Sequence, residues 1–259
     1  MVKVIEPELR QVLDFCALEP VERVFLEDVA RRGLGRFVGV RGERGLDAVC
    51  HVGANVVPSG RGCGAFAGAA ARGHARMIIG EEIAVGELWE AAAHDMPAVR
   101  QDRPGQPVYA MVDPPPAGDS GVRTATLADV ELLVPACAAA HEEELGVDPL
   151  ARDEDGFRWR TSEMVEEGRS WLWRDGDTIL FKAEASAWTA GAVQLQQVWV
   201  DPAVRRRGYG TRGLRDLCRL LLETTPVVTL FVRTDNAPAL ALYESIGMLR
   251  VGSYRSVLF

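Results

Sequence analysis

The sequence predicts an α/β fold of the α+β kind, built in two parts, and three observations carry that prediction. Short apolar runs joined by an Asp175-Gly176 turn read as a hairpin meander. The last of those runs, Val193 to Val200, passes through an arginine- and glycine-rich loop directly into a helix. The segment Asp113 to Gly121 holds too much Pro and Gly for a helix or a central strand, and reads as a linker.

The N-terminal part, residues 1–112, is expected to hold a helix within Glu8 to Arg31 and strands at Arg36 to Val40 and Ala48 to Val57. A helix in about Cys63 to Arg72, a strand at Arg76 to Ile79, a helix at Val85 to His94 and a strand at Val108 to Val112 follow. Beyond the linker, 113–121, the part 122–259 opens with a short strand at Val122 to Thr126, a helix from near Leu127 to Glu144 and another over Asp155 to Glu167. Strands at Ser170 to Arg174, Thr178 to Ala187 and Val193 to Val200 form the meander. The helix after the loop, Thr211 to Glu223, spaces Leu214, Leu217, Leu220 and Leu221 for one buried face. A strand at Val227 to Val232 leads to a short helix with Pro238 in its first turn and Gly247 as its stop, and a strand pair is expected inside Leu249 to Phe259.

The loop carries the chemistry. Gly208 and Gly210 lack a Cβ and let successive N–H groups converge, at the positive end of the helix that follows. Arg205, Arg206 and Arg207 add planar donors for phosphate oxygens. No Gly-Lys-Ser/Thr follows, as a P-loop NTPase requires, and no acidic residue closes a following strand as in dinucleotide folds. By itself the loop is an anion cradle, or a glycine turn flanked by solvated arginines.

With a second motif downstream the chain resembles the GNAT superfamily of acyl-coenzyme-A-dependent N-acetyltransferases. Arg205, Gly208 and Gly210 match its Arg/Gln-x-x-Gly-x-Gly/Ala loop, and Asn236, Ala239, Tyr243 and Gly247 match its Asn-x-x-Ala-x-x-x-Tyr-x-x-x-Gly pattern, with Met248 where the family usually has Phe. The resemblance implies a GNAT fold over 122–259, a mixed and mostly antiparallel sheet flanked by helices. Residues 1–112 read as a smaller, degenerate GNAT-like domain, because their elements echo that order and Ser59 to Gly64 stands where the phosphate loop would be. No Asn or Tyr signature follows there.

The resemblance further implies acetyl-CoA as co-substrate, held by Val198, Trp199, Val200, Arg205, Arg206, Arg207, Gly208, Tyr209, Gly210, Thr211 and Asn236. The N–H near Val198 is the candidate oxyanion donor, and Tyr243 the candidate acid for the leaving thiolate, or else a core tyrosine. Asn236 serves as coenzyme contact, helix N-cap or both. Glu184 is the candidate base, or a paired carboxylate partnered by Lys182, one of only two lysines. Of the acidic run His141 to Glu144, Glu144 is the candidate acceptor contact, against a solvated helix face. Trp199 walls the site or fills the core.

Composition narrows the partners. A formal net charge of −8 argues against nucleic acid despite the arginine triplet. Five cysteines without paired spacing fit neither a disulfide framework nor a zinc site, so no metal is expected. No run is apolar enough to span a membrane and the N-terminus lacks a signal-peptide core, so the cytoplasm is the expected address. The acceptor is expected to be a primary amine of a small molecule, a peptide or a protein, the last with the N-terminal part as its docking surface. A non-catalytic acyl-CoA sensor and a homodimer are both left open.

Overall fold

The computed structural model describes residues 3–259. The first part of the chain forms β1 (Val4–Ile5), α1 (Leu9–Cys16), α2 (Val24–Arg31), β2 (Arg36–Arg41), β3 (Leu46–Val52), β4 (Val56–Gly60), α3 (Ala67–Ala71), β5 (Met77–Glu81), α4 (Glu82–Ala92) and β6 (Gln101–Met111). The second part forms β7 (Arg123–Thr124), α5 (Val130–Leu145), α6 (Pro149–Glu166), β8 (Ser170–Asp175), β9 (Thr178–Trp188), β10 (Val193–Trp199), α7 (Tyr209–Leu222), β11 (Val228–Phe231), α8 (Ala237–Ser245) and β12 (Leu249–Leu258). The strands join in one mixed sheet of twelve, in the order β1-β2-β3-β4-β5-β12-β6-β11-β10-β9-β8-β7. Helices flank it, as the α+β reading requires.

The order has an internal echo. Each part runs as an antiparallel meander (β2-β3-β4, β8-β9-β10), then a helical segment and a strand parallel to the meander's end (β5, β11), then a helix and a final strand. The final strands cross over: β6 pairs with β11 of the second part, and β12 pairs with β5 of the first. β6 and β12 pair with each other at the centre. The strand pair expected inside Leu249 to Phe259 is therefore one long strand, whose neighbours both come from the first part.

Other boundaries follow local physics. The single helix expected over Glu8 to Arg31 is two, separated by a turn that holds Pro20, whose ring cannot continue a helix. The run Ala48 to Val57 folds back at Gly53 to form β3 and β4. On α7 the buried face is Leu214, Leu217, Cys218 and Leu221, while Leu220 falls at its edge and is 40% exposed. That helix packs its Gly213 backbone on Phe181 of β9, so closely that an added Cβ would lie 2.5 Å from the ring.

The Pro/Gly segment lies against α7. Asp216 accepts hydrogen bonds from Gly118 N (2.6 Å) and Ser120 N (2.7 Å), and Arg212 Nε donates to Gly118 O (2.9 Å). The two parts are further tied by Asp28 of α2, which takes a bidentate pair from Arg169 at 2.7 and 2.9 Å. No helix among the described residues is long and apolar enough to cross a membrane.

Candidate active site

The central feature is a split in the sheet. β10 and β11 pair in parallel at Val193–Val228 and Gln194–Thr229 and then separate, each continuing with its other neighbour. On β10 the residues Gln197 and Val198 stand opposite the single Ala183 of β9, because Gln196 pairs with Glu184 and Trp199 with Lys182. This is a β-bulge, and Gln197 takes a φ of +48° to form it. The bulge turns backbone of β10 into the gap between the parted strands. A cleft of about 320 Å³ occupies that gap, lined by Gln197, Val198, Trp199, Phe231, Glu144 and Tyr243 among others.

Beneath the bulge lies a fully buried lysine. Lys182 Nζ donates to Gln197 Oε1 (2.8 Å), Glu184 Oε1 (2.9 Å) and Cys137 Sγ (3.0 Å). Glu184 also accepts from Cys137 Sγ (3.0 Å) and Gln196 Nε2 (3.3 Å). Burial acts to push the Glu184 carboxyl up and the Lys182 ammonium down, but their mutual attraction prevails, so both stay ionised. Of the two readings of Glu184, this geometry satisfies the paired carboxylate; it is not among the residues that line the cleft.

Glu143, Glu144 and Asp235 put carboxylates on the cleft wall. Glu144 keeps an exposed surface, yet desolvation by the protein around its carboxyl pushes that carboxyl up despite the opposing charges of Arg103 and Arg233. Both arginines donate to the Glu144 carbonyl, at 2.8 and 3.0 Å, neutralising the negative end of α5. Tyr243 lines the same cleft, and burial, reinforced by the charge of Glu144, pushes its hydroxyl up. It is a phenol that keeps its proton.

Along β10 the cleft meets a groove of about 840 Å³, with Glu143, Val198, Trp199, Asn236 and Pro238 common to both. Val200, Arg205, Arg206, Arg207, Gly208, Tyr209, Gly210 and Thr211 all line this groove. Gly208 stands at the N-cap of α7 with φ +81°, a conformation that favours glycine, and brings no side-chain cap. The first-turn donors of α7 are thus left for another acceptor. Asn236 caps α8 by accepting from Ala239 N at 3.2 Å, so its N-cap reading holds while it also lines the groove.

Glu143 entered the sequence reading only within the acidic run His141 to Glu144, yet it receives Arg205 at 2.7 and 2.8 Å and Trp199 Nε1 at 3.1 Å. Its place in an acidic run was the only signal. Trp199 both packs in the α5–α6 core and walls the cleft. Arg103 was also missed, since nothing local connects β6 to site residues that begin 41 positions later at Glu144.

A sheet split beside a bulged strand, with an anion-ready helix start at one end and a tyrosine in the gap, is the frame of the site. Residues 135–248 match the family model of the Acetyltransferase (GNAT) family, and the C-terminal part of the chain is a domain of that family. Residues 35–133 match a Domain of unknown function (DUF4081). The chain is 50% identical over 62 residues to N-alpha-acetyltransferase RimI of Mycobacterium tuberculosis, covering 24% of this chain and 38% of that protein. It is 32% identical over 137 residues to a mycothiol acetyltransferase of Nocardioides sp., covering 46% of this chain and 45% of that one. The matches thus span less than half the length of these relatives. A GCN5-related N-acetyltransferase from Sphaerobacter thermophilus shares the fold, with a TM-score of 0.62 at 20% identity over 98% of this chain and 94% of that one.

Proposed function

We propose that the C-terminal domain moves an acetyl group from acetyl-CoA to a primary amine of a small molecule or peptide. The observation that carries this reading is the continuity of groove and cleft, which joins the α7 anion site to the bulge, Tyr243 and Glu144. The α7 N-terminus and Arg205 to Arg207 suit the pyrophosphate, and the parted strands suit the pantetheine arm. The relatives named N-alpha-acetyltransferase RimI and mycothiol acetyltransferase support acetyl transfer, and the first name supports a nitrogen acceptor.

In the reaction the amine nitrogen attacks the thioester carbonyl carbon, forming the C–N bond, and the C–S bond then breaks. In this reading Val198 N–H stabilises the oxyanion, Glu144 takes the ammonium proton directly or through water, and Tyr243 protonates the leaving thiolate. Assigning the base to Glu144 leaves Glu184 and Lys182 as supports of the bulge. We read the N-terminal part as a degenerate copy of the same fold. Its glycine loop donates Gly62 N (2.7 Å) and Cys63 N (2.8 Å) to the carboxylate of Glu87, so the anion place there is filled from within the chain.

The test is thiol release from acetyl-CoA with amino acids, polyamines, aminoglycosides and peptides as acceptors. Tyr243→Phe is expected to lower kcat by about 10²-fold with the acetyl-CoA Kd kept within about threefold. Binding of acetyl-CoA without turnover of any amine would instead make the domain a sensor.

A further inference from the structure

A second cavity, of about 140 Å³, lies on the seam between the two parts of the chain. It shares Glu144, Gln196 and Phe231 with the cleft, so the two spaces meet at the wall carboxylate. The N-terminal part supplies most of the remaining wall. Phe25 and Leu26 of α2, Pro58 of β4 and Ile79 of β5 make it apolar, and Glu22 and Glu81 add two carboxylates.

Glu22 is half-buried and makes no ion pair or hydrogen bond to another residue's side chain through its carboxylate among the described residues. Its backbone is fixed all the same, since Tyr254 Oη donates to Glu22 O at 2.7 Å. Glu81 is partly committed, accepting from Ser59 Oγ with Arg23 Nε at 3.9 Å. An ionised carboxylate facing an apolar cavity without a partner is costly, and a bound cation relieves that cost. Burial acts on Glu22 in the same sense, pushing its carboxyl up.

The cavity wall therefore combines the carboxylate of Glu144, shared with the cleft, with those of Glu22 and Glu81 from the N-terminal part and with hydrocarbon from Phe25, Leu26 and Ile79. Its volume is close to that of an apolar cavity that takes one benzene, which suits a stem of roughly four or five heavy atoms. We propose that the N-terminal part builds the acceptor pocket and that the acceptor is a short aliphatic diamine, with one nitrogen reacting beside Glu144 and the distal ammonium held by Glu22 and Glu81. The methylene stem packs on Phe25, Leu26 and Ile79. This inference rests on acetyl transfer at the cleft, and it gives the N-terminal part the task of choosing the acceptor.

The test compares diaminobutane with butylamine, which has the same stem and no second charge, in thiol release from acetyl-CoA by the full chain. The diamine is expected to show a kcat/KM roughly tenfold or more above the monoamine, since a desolvated charge pair discriminates at least that strongly. Glu22→Gln is expected to bring that ratio close to one, chiefly through the KM of the diamine. The acetyl-CoA Kd of the variant reports that it is folded. Calorimetric titration of diaminobutane into the CoA-saturated protein should show binding that the variant loses. Turnover of both amines at equal efficiency, or an unchanged ratio in Glu22→Gln, overturns the pocket assignment while leaving acetyl transfer intact. Release of thiol with no amine at all removes both.

Discussion

Lys182→Met removes the cation from a cluster in which Lys182 Nζ donates to three acceptors and both oxygens of Glu184 are hydrogen-bonded. Lys182 is 0% exposed and Glu184 7%, so the variant leaves a carboxylate in the sheet interior without its counter-charge. Breaking a buried pair by deleting one partner costs about 3–5 kcal/mol. For a chain of this size that corresponds to a fall in Tm of about 6–20 °C. The double variant Lys182→Met/Glu184→Leu removes both charges and is expected to lose far less, because an apolar replacement of a whole buried pair is often close to neutral. Urea denaturation of the wild type, both single variants and the double variant closes the cycle.

The pH dependence of the loss has a definite sign. In the wild type the Glu184 carboxyl is held below its unfolded value, so its stabilisation is present above that value and disappears as pH falls through the folded one. Without Lys182, burial is the dominant influence and pushes the carboxyl up. The variant's folded state then takes up a proton before the unfolded chain does, and its deficit against the wild type shrinks as pH falls from about 7 to about 5. Because Gln197 also loses its donor, the bulge is less firmly held and kcat is expected to fall by roughly tenfold. A deficit under about 1 kcal/mol, or one that does not change with pH, would refute this account of the cluster.

Two further predictions concern the cleft and groove. Glu143→Gln frees Arg205 for an anion; the existing pair is partly exposed and worth at most about 1 kcal/mol, so the acetyl-CoA Kd should tighten by no more than about fivefold. Weaker binding by the variant in equilibrium titration would show that Glu143 instead orients Arg205 productively. If Glu144 is the base, it must be ionised, and with its carboxyl pushed up the acid limb of kcat/KM should lie above the ordinary glutamate value of about 4.3. Glu144→Gln should abolish that limb, and its persistence would assign the base elsewhere.

What was legible in the sequence was whatever local geometry dictates. Gly208 at positive φ, the arginines before it and Asn236 at the N-cap of α8 are consequences of near neighbours, and they lie where their spacing puts them. Glu184 was harder, because a carboxylate in an apolar strand looks alike whether it faces a cleft or a lysine, and only the register of β9 against β10 decides. Leu220 and Pro20 are errors of phase and of punctuation. The exchange of β6 and β12 was not legible at all, since an alternating strand states which face is buried and not which strand lies beside it.

That exchange ties the cleft to the N-terminal part more closely than any interface of side chains. β11 is one lip of the split, and on its other side it is held by β6, with Thr229 Oγ1 donating to Tyr109 O at 2.8 Å. Tyr109 then reaches over to α8, donating to Glu244 Oε1 at 2.9 Å, and packs its ring 5.8 Å from that of Tyr243. Arg103, from the same strand, secures the end of α5 at Glu144. One strand from before the linker therefore supports the strand, the tyrosine and the carboxylate that frame the cleft. A cut at the Pro/Gly segment would remove β6 from between β11 and β12 and leave both with open edges, so the cleft depends on both parts of the chain being present together.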